Sequence, residues 1–242
     1  AWRSGGQWME WQVDIPESGL YQIGARFASW YLQGMPVERI FTIDGKVPFR
    51  EMNAARFPYS KSRQVGGLGD EEYLFYLSQG KHTLRLEVQE GSLGSLFEIV
   101  RDVTLRMSTL SREVIKITGT NPDKNRDWRL EQNIPDLVPR LYGMVGELKQ
   151  AVQVLYDYGA EQSSEQISTL EIAGAQLLDM AEHPETIPSR VKQFNDTESS
   201  LGLWMNTMSQ QGLLLDYLIV KSPDVAWPKA NVSFIGRTMA VA

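Results

Sequence analysis

The apolar residues of this chain keep one period up to residue 109 and a different one after it, and few folds accommodate both. In the first stretch they alternate. Across residues 8–15, Met9, Trp11, Val13 and Ile15 fall on one side, and Trp8, Glu10, Gln12 and Asp14 on the other. Alternation is the mark of a strand with one buried face. Tyr21, Ile23, Ala25 and Phe27 repeat it, as do His82, Leu84, Leu86 and Val88. Residues 73–77 form a short aromatic strand, and Val103, Leu105 and Met107 predict one more. Turn signals separate these runs: Pro16-Glu17-Ser18-Gly19, Gln79-Gly80-Lys81, and Asp44-Gly45, a dipeptide that accepts the positive φ of a tight hairpin. Short strands divided by Gly and Pro turns predict an antiparallel β-sandwich over residues 1–109 rather than a βαβ fold.

From residue 110 the spacing lengthens. Residues 110–117 predict a short helix closed by Gly119. Leu137, Leu141, Met144, Leu148, Ala151, Leu155 and Tyr158 recur at gaps of four and three, one stripe on one helix face, and Pro139 sits harmlessly in the first turn. Ser163-Ser164-Glu165-Gln166 is a capping-box signature, and it opens a second stripe through Ile167, Leu170, Gly174, Leu177 and Ala181. The third stripe is Ile187, Val191, Phe194, Leu201, Met205 and Met208, broken at one seam position by Glu198; a small rotation that leaves Glu198 at the rim is the simplest reading. Residues 110–212 therefore predict an antiparallel three-helix bundle. Residues 213–221 return to a strand pattern and are expected to rejoin the sandwich, so that the bundle is an insertion; residues 222–242 read as a linker or tail. The fold class is α+β.

Several functions are disfavoured at this level. With a net charge of −6 and no Lys/Arg block there is no positive field for nucleic acid. No apolar run is long enough for direct membrane insertion. The absence of cysteine removes disulfides, thiolate nucleophiles and Cys-based zinc sites. Of the two histidines, His82 alternates with Leu84 and Leu86 and is expected to face the core, while His183 precedes a proline at a helix end. A G-x-S-x-G elbow is missing, and Gly66-Gly67-Leu68-Gly69 has no Lys-Ser/Thr after it. The run Asp70, Glu71, Glu72 reads as a solvated loop, and the acceptor-like Asn195-Asp196-Thr197 and Asn231-Val232-Ser233 match a pattern common by chance. The expectation is a protein that is not an enzyme. Its opening residues read as those of an excised or processed piece, with targeting signals outside it.

Binding residues are easier to nominate. Trp30 and Tyr31 follow the Phe27 strand, and Phe57-Pro58-Tyr59 lies in another connection flanked by Arg56 and Arg63. Loops cluster at the ends of a sandwich, and aromatic rings beside polar groups suit oligo- or polysaccharides. The structural alternative is that these rings pack on the inserted helices or cover a sheet edge. Trp8, on the polar face of its strand, marks a possible contact between sandwich and bundle.

Gly80-Lys81-His82-Thr83-Leu84-Arg85-Leu86 resembles the G-x-H-T-L-R-L strand of galactose-binding-like β-sandwiches, including carbohydrate-binding modules, and Leu215-Asp216-Tyr217-Leu218 is similar to their closing strand. A longer series resembles the accessory region of very large extracellular solute-binding proteins of Paenibacillus-type bacteria. It runs through residues 11–21, Ile43-Asp44-Gly45-Lys46-Val47-Pro48-Phe49, residues 117–123, Pro184-Glu185-Thr186-Ile187-Pro188, and Leu215-Asp216-Tyr217 followed by Ser222-Pro223-Asp224. The resemblance implies a galactose-binding-like jelly roll and a module that precedes the solute-binding domain of an ABC importer on the same polypeptide. That polypeptide would be a lipoprotein, extracellular and anchored at the cell surface through parts outside this chain. A carbohydrate-binding module proper and a glycan-active enzyme are the alternatives. The resemblance also gives Asp216 the second of two calcium positions; no residue here matches the first.

Overall fold

The computed structural model describes residues 2, 4–69, 71–88, 93–123 and 126–230, so Asp70 and Asn231-Val232-Ser233 lie outside the described residues. Two compact units emerge, residues 93–208 and the remainder.

The β unit contains β1 (Trp8–Ile15), β2 (Gly19–Ser29), β3 (Val37–Ile43), β4 (Ala55–Phe57), β5 (Ser60–Gly67), β6 (Phe75–Leu77), β7 (Gly80–Val88) and β8 (Leu214–Lys221). One four-stranded sheet has the order β1-β7-β3-β4; in the other, β2 pairs with β5, β6 and β8. Every pairing is antiparallel. The alternating residues do what their spacing predicts: Ile23, Ala25 and Phe27 of β2 and Leu84, Leu86 and Val88 of β7 are buried. Two aromatic pairs join the sheets face to face. Phe27 of β2 meets Phe57 of β4 edge-on with ring centroids 5.0 Å apart, and Phe41 of β3 meets Phe75 of β6 at 5.5 Å. Each buried ring is worth about 1.5–3 kcal/mol in area alone. Asp44 (φ 51°) and Gly45 (φ 77°) both take positive φ, as a type I′ hairpin requires, and Ile43 and Lys46 close the turn with hydrogen bonds of 2.9 and 3.0 Å.

The largest fully buried side chain of this unit is charged. Arg39 of β3 is 0% exposed. Its Nη1 donates to the carbonyl of Glu38 (2.7 Å), and its Nη2 to the carbonyls of Gln211 (2.6 Å) and Trp2 (3.3 Å). The guanidinium lies over the Trp2 indole, 4.4 Å from its centroid. Gln211 returns a bond by accepting from the Glu38 amide (3.1 Å), and Leu213 bridges Trp2.

The helical unit contains α1 (Gly94–Thr118), the single turn α2 (Leu130–Asn133), α3 (Leu137–Tyr158), α4 (Glu165–Glu182) and α5 (Val191–Met208), with a 3-10 segment Pro184–Arg190 between the last two. α1 packs on α3 and α5, and α4 closes the ring against α3 and α5. This is a bundle of four long helices where periodicity predicts three. The difference is α1. Val103 and Met107, expected in a strand, are buried along one helix face with Leu96, Val100, Leu110 and Val114. Leu105 is 60% exposed, and this one apolar residue on the solvent side produces the false alternation. The seam of α5 is rotated by one position, burying Thr197 and Trp204 and leaving Glu198 half-buried. The N-cap of α4 is Ser164, whose hydroxyl accepts from Ile167 N at 3.3 Å.

Replacing Arg39 with Met keeps the volume but orphans the carbonyls of Trp2, Glu38 and Gln211. At about 1–3 kcal/mol per buried unmatched acceptor, the β unit should lose about 3 kcal/mol in denaturant unfolding. A variant within about 0.5 kcal/mol of wild type would show that the guanidinium carries no such role.

Candidate functional site

β2 ends at Ser29, which pairs with Ser60 of β5, so the connections carrying Trp30 and Tyr59 leave the same end of the sheet. Leu32 and Met35 point into the core (1% and 0% exposed), and the loop they anchor holds Trp30 and Tyr31 outward, each 38% exposed. The two rings lie 18° from parallel with centroids 6.1 Å apart. Tyr31 packs on Gly212, where an added Cβ would come within 2.3 Å of the ring. The Arg63 guanidinium stands 5.8 Å from the Trp30 ring and holds Asp216 through Nε (3.1 Å) and Nη2 (3.3 Å). Arg26 of β2 holds the same carboxylate. Asp216 is the extra residue at the register shift between β2 and β8, and the bulge aims its side chain at both arginines.

Of the residues nominated from sequence, Trp30, Tyr31 and Arg63 therefore come together, and Asp216 joins them. Arg56 belongs to a different feature. It faces Glu38 across the β3–β4 pairing and bonds it at 3.1 Å. This pair sits in a 310 Å³ pocket with Arg50, Glu51, Gly69 and Tyr73. Tyr59 is half-buried and outside that lining, and Phe57 is a core residue. Trp8 is exposed, with the Arg85 guanidinium 4.5 Å over its ring. Asp216 does not suit calcium: two guanidinium groups already occupy its oxygens and repel a cation. Among the described residues no group of three or more His, Asp or Glu converges.

Sequence spacing missed a third arrangement. His82 faces inward at the rim of the sandwich, where Nδ1 lies 2.6 Å from Asp44 Oδ2 and Nε2 lies 2.8 Å from the Ser78 carbonyl and 3.2 Å from Ser78 Oγ. Asp44 Oδ1 also accepts from Thr83 N at 2.8 Å. Serine, histidine and aspartate are thus in contact, but not as a nucleophile with its base. The nearer partner of Nε2 is a main-chain acceptor, so Nε2 is placed as a donor to the Ser78 carbonyl rather than as the base a serine nucleophile needs. The Asp44 side chain, then the Ser78 main chain, hold the His82 pKa above its ordinary value against a smaller desolvation effect. Burial pushes Asp44 up, but the bonds from Thr83 and His82 together outweigh it and leave its pKa lowered. The turn Asp44-Gly45 was legible in the sequence; its closure onto β7 was not.

Residues 222–230, read from sequence as the start of a linker, carry Trp227 onto β2. A Cβ at Gly24 would come within 2.6 Å of that ring. The Lys221 ammonium lies 4.5 Å from the ring centroid and bonds Gln22.

Residues 95–211 match the family described as the bacterial solute-binding protein, 4-helix bundle domain. Solved structures similar to the chain include a family 35 carbohydrate-binding module from Clostridium thermocellum, at 20% identity and TM-score 0.30, covering 36% of this chain and 62% of that one. The CBM35 of Cellvibrio japonicus Abf62 is similar at 17% identity and TM-score 0.28, covering 35% of this chain and 55% of that one. A Paenibacillus sp. cycloisomaltooligosaccharide glucanotransferase complexed with cycloisomaltoheptaose is similar at 22% identity and TM-score 0.31, covering 37% and 12% respectively. No curated protein matches the chain. No helix among the described residues is long and apolar enough to cross a membrane.

The clamp of His82 and Asp44 makes stability depend on pH. Because the His82 pKa is raised, its contribution is complete below about 6.5, the unfolded value, and is lost as pH rises through the folded value. Because that of Asp44 is lowered, its contribution is complete above the unfolded carboxylate value of about 3.9 and is lost as pH falls through the folded one. Wild-type melting temperature should therefore fall as pH rises above about 6.5 by more than that of His82→Gln. Parallel curves for the two proteins would show that the clamp does not titrate.

Proposed function

We propose that this chain is a non-catalytic accessory module of an extracellular solute-binding protein serving a carbohydrate-type ABC importer. The match of residues 95–211 to the solute-binding protein bundle carries the reading. The contacts around His82 agree with it, because Nε2 lies closer to the Ser78 carbonyl than to the Ser78 hydroxyl. The polypeptide so proposed is a cell-surface lipoprotein with its solute-binding domain downstream of this chain. Protease treatment of intact cells making the full-length product should remove this module while cytoplasmic markers survive. Protection of the module until lysis would refute the surface placement.

A second reading, carbohydrate binding by the sandwich itself, is favoured by one observation. Trp30 and Tyr31 are a stacked pair open to solvent, with the Arg63–Asp216 pair beside them. Such a surface offers ring faces to sugar C–H groups and charged edges to hydroxyls. In affinity electrophoresis through polysaccharide gels, Trp30→Ala with Tyr31→Ala should abolish retardation of the chain. Unchanged retardation, or none in the wild type, would leave these rings without that role.

A further inference from the structure

The geometry points to a binding groove for a neutral saccharide between α4 and α5, a site separate from the sandwich surface and resting on the bundle alone. The two helices leave a 480 Å³ groove, a size suited to a small ligand. Its walls are unusual for a helical seam. Thr169, Thr197, Ser200 and Thr207 line it, and each hydroxyl is within bonding distance of the carbonyl one turn earlier in its own helix: Glu165 (2.9 Å), Gln193 (2.9 Å), Asp196 (2.9 Å) and Leu203 (3.0 Å). A hydroxyl whose proton is committed in this way presents only lone pairs to the groove.

The amides supply the complementary half. Gln193 has its oxygen engaged by Arg190 Nε (2.9 Å), and Gln176 Oε1 accepts from the Thr197 hydroxyl, so each amide keeps its NH₂ as a donor. Gln166 is the telling residue. It lines the groove, is only 5% exposed, and its Oε1 is buried without a hydrogen-bond partner. Its main-chain carbonyl is already taken by Trp204 Nε1 at 3.0 Å. A buried unmatched acceptor is costly, and a ligand hydroxyl would relieve it.

The ligand class follows from this inventory. No Lys or Arg lines the groove, so nothing there attracts an anion. Its two carboxylates are already compensated: Asp196 by Lys192 at 2.7 Å, and Glu165 by its place in the first turn of α4. A neutral molecule rich in groups that both donate and accept fits such a lining. Ile172, Leu203 and Trp204 add apolar surface for its C–H faces.

The test is calorimetric titration of the chain with neutral α-1,4- and β-1,4-linked di- to tetrasaccharides. Three variants are compared with wild type. Ser200→Phe fills the groove from an exposed position that the fold tolerates, Gln166→Leu removes the orphaned acceptor, and Trp30→Ala alters the sandwich surface. At least one saccharide should bind wild type at a site that persists in Trp30→Ala. Affinity should fall on the order of tenfold in Gln166→Leu and below detection in Ser200→Phe, with both variants keeping the wild-type circular dichroism spectrum. Three outcomes would overturn the proposal: no saccharide binds, binding survives both groove variants, or Trp30→Ala alone abolishes it. The last would place saccharide binding on the sandwich, upholding the second functional reading while removing this one.

Discussion

A buried guanidinium organises the β unit. Carrying Arg39 out of water costs several kcal/mol unless its donors are matched, and both terminal nitrogens are matched by main-chain carbonyls from Trp2, Glu38 and Gln211. Those residues are far apart in sequence, so the charge is tolerable only when the N-terminal segment, β3 and the approach to β8 are all in place. A hydrophobic residue at position 39 could fill the space but could not impose that three-way condition. The Trp2 indole completes the enclosure, its negative π face meeting the cation at 4.4 Å. With Gln211 fixed, β8 enters the sheet beside β2 in the register that leaves Asp216 as the bulged residue.

That register has chemical consequences. A β8 without the bulge would turn Asp216 to the other side of the sheet, and Arg26 and Arg63 would lose their common anion. The Arg63 guanidinium would then lose what holds it near the Trp30 ring. Gly212 acts on the same surface, since only a residue without Cβ lets Tyr31 lie against the chain at that point. The candidate sugar-facing surface is thus a product of strand pairing as much as of loop sequence.

What the sequence disclosed follows from which contacts are local. The strand β7 alternates cleanly because one face of it is core, and α3 shows an unbroken stripe for the same reason. The exposed aromatic pair was legible because Trp30 and Tyr31 are adjacent and follow a strand. α1 was misread over Val103–Met107 because Leu105 is an apolar residue on a solvent-facing side, and a strand and a helix differ only in where such residues fall. Glu38 and Arg39 gave no signal, since both are charged neighbours in a strand and both are buried (2% and 0%), which alternation cannot express. The partners that make this affordable, Arg56 and Gln211, lie far along the chain. Likewise nothing local connects Asp44 to His82, or Gly24 to Trp227.

The bundle shows how a helix can serve two seams with different chemistry. The face of α4 carrying Ile167, Leu170, Gly174 and Leu177 is apolar and buried. Gln166, Thr169, Ala173 and Gln176 also recur at three- and four-residue gaps, but offset by one position, so they form a second stripe turned toward α5. Opposite them α5 offers Thr197, Ser200 and Thr207 in place of branched aliphatics. Small hydroxylated residues facing one another do not interdigitate as leucines do, so the two helices are held mainly by their separate packing on α1 and α3. The seam between them can then stay open without unravelling the bundle. A polar groove of this kind costs stability relative to an apolar seam, and the buried, unmatched oxygen of Gln166 is where that cost is most concentrated.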